Sequence, residues 1–383
     1  MAATQTPGAA ASYPSVTPLP GTASAAAPAV QPAVTAPAAV PATPRGTDQT
    51  DGPASGQPPL AGTRVAGVPA FDLTPGAAMH AGPAALRLLQ RVDPARLHAD
   101  LLTLQGFQTR HSASAAAADA NQIGAARAWL IGTLRAINPR VQVETDGFAF
   151  PFGNRTLAAQ NIIATLPGRV NPPQVIIISA HYDSRTADIS DARSPAPGAN
   201  DDGSGVAAVL ELARLLSTQP LDATYQFILF AGEEEGLFGS VHLATLMRKD
   251  GVRIVAMLNN DIIGNVSGPD GQRVDNRVRV LSGDPDSGPS RQLAREARTI
   301  VEGALPGFGV ELVPSLYHDG RGGDHIAFHY AGFPAIRFIE AVENPAHQHN
   351  ANDRVEFMDM TYLANVVRAN LAVALELGRT SGG

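Results

Sequence analysis

Residues 175–184 read VIIISAHYDS, and residues 196–217 read APGANDDGSGVAAVLELARLLS. The run 175–179 has almost no polar character, so it suits a strand buried on both sides, as strands inside a parallel sheet are. The segment 205–217 carries its apolar residues at helical spacing, behind an Asp- and Gly-rich opening of the kind that starts helices. The pattern repeats outward from here. Strands are expected at 141–145, 159–166, 225–230, 254–258, 277–281 and 334–341. Helices are expected at 82–105 with a break at Pro94, then at 119–137, 240–249, 290–301 and 361–377. Alternating buried strands and helices predict an α/β fold: a three-layer α/β/α sandwich with a central, mostly parallel (mixed) sheet. Its ligand crevice belongs at the C-terminal ends of the strands.

Composition excludes several functions. The chain has 383 residues, 44% of them hydrophobic, which is enough for a sizeable core. It has no cysteine, so a disulfide scaffold, a thiolate zinc site and a cysteine nucleophile are all excluded. The basic residues are 27 arginines and Lys249, within a net charge of −7, which argues against nucleic acid as a partner. No apolar run reaches the roughly 18 residues that a membrane span needs. Residues 1–60 hold 12 of the 31 prolines and 16 alanines, and the first charge is Arg45. So few large apolar groups cannot offset ordering entropy. We therefore expect a disordered Ala/Pro-rich arm over residues 1–75 and a catalytic domain over 76–383. The arm shows neither the positive start nor the continuous apolar stretch of a signal peptide.

The unusual residues fall at strand ends. VIIISA is followed by His181, Tyr182, Asp183 and Ser184, and YQFILFAG by Glu233, Glu234 and Glu235. IVAML is followed by Asn259, Asn260 and Asp261, and FIEA by a loop with His347, His349 and Asp353. Asp201 and Asp202 stand at the start of a helix. Imidazole nitrogen and carboxylate oxygen together suit a borderline dication such as zinc. Two such ions held about 3.5–4 Å apart need a bridging carboxylate and terminal ligands on each side. His181, Asp201, Glu234, Asp261 and His349 match that set in type and number. Asp183 is placed to orient His181. Of the adjacent Glu233 and Glu234, one suits a general base and the other a ligand. Asp202 reads equally as a helix cap or as a support for the set, Glu235 as a solvated charge, and His242 as packing or surface. His347 competes with His349.

The segments HYDS, APGANDDGSG, EEEGLFGS, NNDIIG and HQHNAND resemble, in order and spacing, the co-catalytic zinc aminopeptidases of the bacterial leucyl aminopeptidase and aminopeptidase S type. Glutamate carboxypeptidase II is in the same wider family. The resemblance covers roughly residues 80–380. It implies His181 and Glu234 as terminal ligands, Asp201 as the bridge, and Asp261 and His349 as the other terminal ligands. It also implies Glu233 as the base that activates water and Asp183 as the partner of His181. The spacing of His349 and Asp353 matches the family, which favours His349 over His347. Arg110 and His111 recur in the resembling segment, where they would brace the entrance of the site. Gly323, before Asp324 and His325, stands where the family usually has serine. The family's oxyanion-binding tyrosine has no counterpart at the same offset; Tyr317 is the first substitute, ahead of His318 and Arg321.

The implied function is a metal-dependent exopeptidase, an aminopeptidase using two Zn2+ per chain, with Co2+ or Mn2+ as possible substitutes. Its partners would be peptide or small amide substrates. Three alternatives stay open: a carboxypeptidase or dipeptidase on the same fold, a single-zinc enzyme of the glutaminyl cyclase type, and a catalytically dead binding domain. A carboxypeptidase needs a cation for the substrate carboxylate, and Arg185 and Arg321 are the candidates. The resemblance favours a secreted or periplasmic location, and the oligomeric state is left open.

Overall fold

Burial on both faces puts the 175–179 run at the centre of the sheet. The computed structural model describes residues 82–116, 121–170, 173–283 and 285–378. Its strands are β1 (Gln142–Phe152), β2 (Arg155–Leu166), β3 (Val175–His181), β4 (Thr224–Phe230), β5 (Ile254–Asn260), β6 (Arg277–Leu281), β7 (Gly309–Val313) and β8 (Ala335–Glu340). They form an eight-stranded sheet in the order β1-β2-β4-β3-β5-β8-β6-β7. The four central strands β4, β3, β5 and β8 are mutually parallel, and the pairs β1–β2, β2–β4 and β6–β8 are antiparallel. The mixed, mostly parallel sheet is the expected one.

The helices are α1 (Pro83–Leu89), α2 (Pro94–Gly106), α3 (Ile123–Ile137), α4 (Gly203–Leu216), α5 (Phe238–Lys249), α6 (Pro289–Ala304), α7 (His325–Tyr330) and α8 (Met360–Leu377). Successive side chains of a strand point to opposite faces, and β3 shows this cleanly. Ile176, Ile178 and Ala180 enter the larger core with residues of α2, α4, α6 and α8, whereas Val175 and Ile177 enter the smaller one with α5 and α7. Pro94 separates α1 from α2, and the Asp93 side chain caps α2 by accepting from the Ala95 N–H at 2.9 Å.

Three elements differ from the sequence expectation. β1 continues to Phe152, and with β2 it makes a long hairpin whose turn holds Gly153 at φ +59°. Pro151 is tolerated there because β1 is an edge strand with no ladder on its outer side. β7 was not expected: as a five-residue edge strand it has little burial to imprint a pattern. The six-residue α7 is likewise too short for a helical period to show. The expected arm lies outside the described residues. Among those residues, no helix is long and apolar enough to cross a membrane.

Ile178→Ala should destabilise the fold by about 2–5 kcal/mol, because the side chain is fully enclosed and the strand around it cannot collapse into the gap. Urea unfolding followed by circular dichroism would measure it.

Candidate metal centre

The C-terminal ends of β3, β4, β5 and β8 deliver the polar residues to one crevice. His181 is the last residue of β3, and Asp261 directly follows β5. Glu233 and Glu234 follow β4 in a turn, and His349 lies beyond β8 at φ +53°. Asp201 comes from the loop that opens α4, and its peptide bond to Asp202 is cis.

Asp201 stands in the middle, with its two oxygens facing opposite ways. Oδ1 is 3.2 Å from His181 Nε2, while Oδ2 is 2.9 Å from His349 Nε2. On the first side, Asp261 Oδ1 is 3.7 Å from His181 Nε2. On the second, Glu234 Oε2 is 3.4 Å from His349 Nε2. The terminal residues therefore pair in space as His181 with Asp261 and Glu234 with His349, which differs from the grouping in which the resemblance presents them. His181 with Asp202 and Asp261, and Asp201 with Glu234 and His349, each bring donor atoms within 4.8 Å of one another, close enough to share one ion.

The donor set fits zinc on the structure's own terms. Glu234 Oε1 is buried with no hydrogen-bond partner among the described residues. The excess of acid is strong enough to hold protons on the imidazoles. Burial pushes the His349 ring down, but the charge of Glu234 and hydrogen bonds to Asp201 and Glu234 outweigh it, raising the ring to about 10. His181 is raised in the same way: burial works against it, and Glu233, Asp183, Asp201 and Asp261 prevail. Asp201 is also desolvated, yet the two imidazoles hold it well below the usual carboxylate range. Glu233 is different. Burial, with Asp261, Glu234 and Asp324 nearby, holds it well above the ordinary range against the pull of His181. Its Oε2 is 3.9 Å from His181 Nε2, and its side chain is 13% exposed.

Supporting residues fix the loops. Asp353 accepts from the Asn200 and Asp201 N–H groups at 2.6 and 2.9 Å, so it aims the central carboxylate rather than touching His349. Asp202 caps α4 through the Gly205 N–H at 2.9 Å and also accepts from the His181 N–H at 3.1 Å, which makes both of its expected readings true together. Asp183 Oδ1 lies 3.7 Å from His181 Nδ1, while the Asp183 carbonyl is closer at 3.2 Å. Its Oδ2 accepts from the Glu234 N–H at 3.1 Å, coupling the two sides of the site. Arg110 is fully buried beneath these loops and donates to the carbonyls of Tyr182, Pro197 and Gly198. It braces the floor of the site rather than the entrance. His111 lies beside it and bonds the Ile189 carbonyl at 2.8 Å.

Other expectations change. Glu235 is not solvated: it is buried next to His111, and desolvation with the charge of Asp183 raises it to about 8. Its position one residue past two inward glutamates turns it beneath the loop, and no period marks such a turn. Tyr317, the first oxyanion candidate, is 47% exposed on a loop near Tyr330. His318 and Arg321 are turned to Glu343, His318 Nε2 at 3.1 Å from its Oε1. His347 stacks on Phe357 at 3.9 Å between centroids, away from the pair that His349 joins. His242 packs on Phe148 and meets Asp146, a packing and surface role as expected. Sequence reasoning missed Arg337. This side chain of β8 is only 3% exposed and stands 3.1 Å from Asp261 Oδ2. A lone arginine in the apolar run 335–339 was the available signal; its place beside Asn259 of β5 is set by the sheet register.

The family model for peptidase family M28 matches residues 161–374, more than half of the chain and every residue of this constellation. The chain belongs to peptidase family M28. Among relatives of this M28 chain, a probable zinc metalloprotease of Pyricularia oryzae is 38% identical over 327 residues, spanning 76% of this chain and 65% of its own length. Two solved structures share the fold at 20% identity. The LapA aminopeptidase of Legionella pneumophila has a TM-score of 0.62, with 78% of this chain and 75% of that one covered. The glutaminyl cyclase of Fimbriiglobus ruber has a TM-score of 0.59, with 76% and 96% covered. Fold alone thus accommodates both chemistries.

Asp353→Ala should cost about 10–100-fold in metal affinity, because two N–H groups that orient the central carboxylate lose their acceptor. Competition of the metal-free protein with a chromophoric chelator reads this directly.

Proposed function

We propose that this M28 chain is a two-zinc aminopeptidase that removes N-terminal residues from peptides. The observation that carries the reading is the division of Asp201, one oxygen toward the His181–Asp261 pair and the other toward the His349–Glu234 pair. A single-zinc site has no use for a central carboxylate with a full pair on each side. A dead binding domain has no use for a buried acid left off both pairs.

His181, Asp201 and Asp261 would hold one ion, and Asp201, Glu234 and His349 the other, with Co2+ or Mn2+ as possible substitutes. When bound, zinc polarises a carbonyl and brings the ionisation of a water near neutrality. Glu233 is the proton carrier. Its Oε2 borders His181, and desolvation raises its proton affinity, so a proton taken from the attacking water is retained until the leaving nitrogen accepts it. Asp183 keeps the His181 ring and the Glu234 backbone in place.

The acid concentration suits a substrate ammonium or amine. The two arginines that a carboxypeptidase would use are already engaged. Arg185 Nε donates to Glu234 at 2.7 Å, and Arg321 pairs with Glu343 and donates to Gln348 at 2.6 Å. This supports the N-terminal reading over the C-terminal one.

Glu233→Gln should retain metal and lose at least about 10²–10⁴-fold in kcat, measured on purified protein of known metal content. Acetylating the α-amine of a cleaved peptide should abolish turnover, and amidating its C-terminus should change little. Cleavage of the acetylated peptide alone would reverse the assignment of terminus. Exhaustive chelation should remove two zinc ions and all activity, both restored by zinc.

A further inference from the structure

Each terminal carboxylate of the metal set has an arginine of its own. Arg337 Nη2 is 3.1 Å from Asp261 Oδ2, the oxygen turned away from His181. Arg185 Nε is 2.7 Å from Glu234 Oε2, while Glu234 Oε1 is buried without a partner. At Asp261 the guanidinium engages Oδ2 and leaves Oδ1 toward His181, whereas at Glu234 it engages Oε2, the same oxygen that lies 3.4 Å from His349 Nε2. The arginines come from separate elements, Arg337 from inside β8 and Arg185 from the loop just after β3.

The surroundings are shaped for Arg337. An isolated buried guanidinium is costly, so its position depends on its partners, which are Asp261 and the Gly322 carbonyl. Gly323 lies against this pair: a Cβ there would be 2.8 Å from Asp261 Oδ2 and 3.2 Å from Arg337 Cδ. A larger residue at 323 would require the Asp261 carboxylate or the Arg337 stem to shift. Arg185 is 21% exposed and is further held by the Thr186 carbonyl at 3.2 Å.

We propose that Arg337 and Arg185 are positioning residues, each of which orients one terminal carboxylate for one of the two metal positions, Arg337 through Asp261 and Arg185 through Glu234. The assignment rests on the two-metal reading. Without its arginine, a terminal carboxylate is free to rotate or to chelate through both oxygens. With it, the carboxylate is held in one orientation before metal arrives, which lowers the reorganisation needed on binding.

The test is zinc titration of the metal-free full-length chain in competition with a chromophoric chelator, alongside its thermal unfolding. The wild type should show two binding steps. Arg337→Gln should weaken one step by about 10–100-fold, and Arg185→Gln the other by a similar factor. In a His349→Ala background, which retains the Asp261 position, Arg337→Gln should still weaken binding. In a His181→Ala background it should have little further effect, and Arg185→Gln should show the reverse pattern. Arg337→Lys and Arg185→Lys, which keep the charge on a single donor, should recover part of the loss. Gly323→Ser should reproduce the step lost in Arg337→Gln, and it carries the comparison if Arg337→Gln unfolds. Unchanged affinities in the glutamine variants overturn the inference. Equal weakening of both steps in both backgrounds also overturns it, since that is what general destabilisation produces. A wild-type chain that takes up a single zinc overturns the two-metal reading, and the pairwise assignment falls with it.

Discussion

The crevice concentrates more buried acid than a protein interior tolerates without compensation. Asp183, Asp201, Asp202, Asp261, Asp324 and Asp353 are all buried within a few loops, and Glu233 and Glu234 join them. An unpaired carboxylate in such surroundings costs far more than a typical contact returns. Three kinds of compensation are visible. Backbone N–H groups serve Asp202 and Asp353, guanidinium groups serve Asp261 and Glu234, and the imidazoles of His181 and His349 flank Asp201. Burial still pushes two of the acids upward, Asp324 and Asp353 to about 7. On the proposed two-zinc reading a pair of dications would relieve the same surplus, which would make metal binding and the integrity of these loops one problem.

The parallel centre of the sheet is what makes the concentration possible. Parallel strands end on the same edge, and every connection from that edge must cross it before the chain can return. β3, β4, β5 and β8 therefore place their following residues side by side although 168 positions separate His181 from His349. The loops are then tied to one another rather than to the helices alone. Arg110 collects carbonyls from both ends of the connection between β3 and α4, Asp353 from the loop after β8 holds the Asn200 and Asp201 backbone of that same connection, and Asp183 joins the β3 end to the β4 end. Gly205, in the first turn of α4, permits a further close approach: a Cβ there would sit 2.4 Å from the Asn260 carbonyl.

This arrangement also bears on the chemistry. The arginines nearest the crevice are paired with its own acids, which keeps the open part of the site negative and hospitable to an amine. Glu233 is left without an arginine and close to His181, the setting in which a carboxyl group can both accept and return a proton. The same fold is found in a glutaminyl cyclase at 20% identity, so the distinction lies in these side chains and not in the sheet.

Much of this was legible in the sequence. The apolar run 175–179, the Asp and Gly opening before α4, and acids directly after apolar strands carry local signals, because burial and capping act on neighbouring residues. Those signals sufficed for the α/β order and the helix break at Pro94, and they singled out His181, Asp201, Glu234, Asp261 and His349, candidates that the fold brings side by side. What tertiary structure alone decided are the relations between distant segments. They include the pairing of His181 with Asp261 rather than Glu234, and the support of Asp201 by Asp353, 152 residues away. The burial of Glu235 beside His111 and the contact of Arg337 with Asp261 belong with them. Such contacts depend on how strands align across the sheet and how loops fold over its edge, and neither leaves a period in the chain. A carboxylate in sequence is only a charge; which cation answers it is settled by the segments that the fold brings beside it.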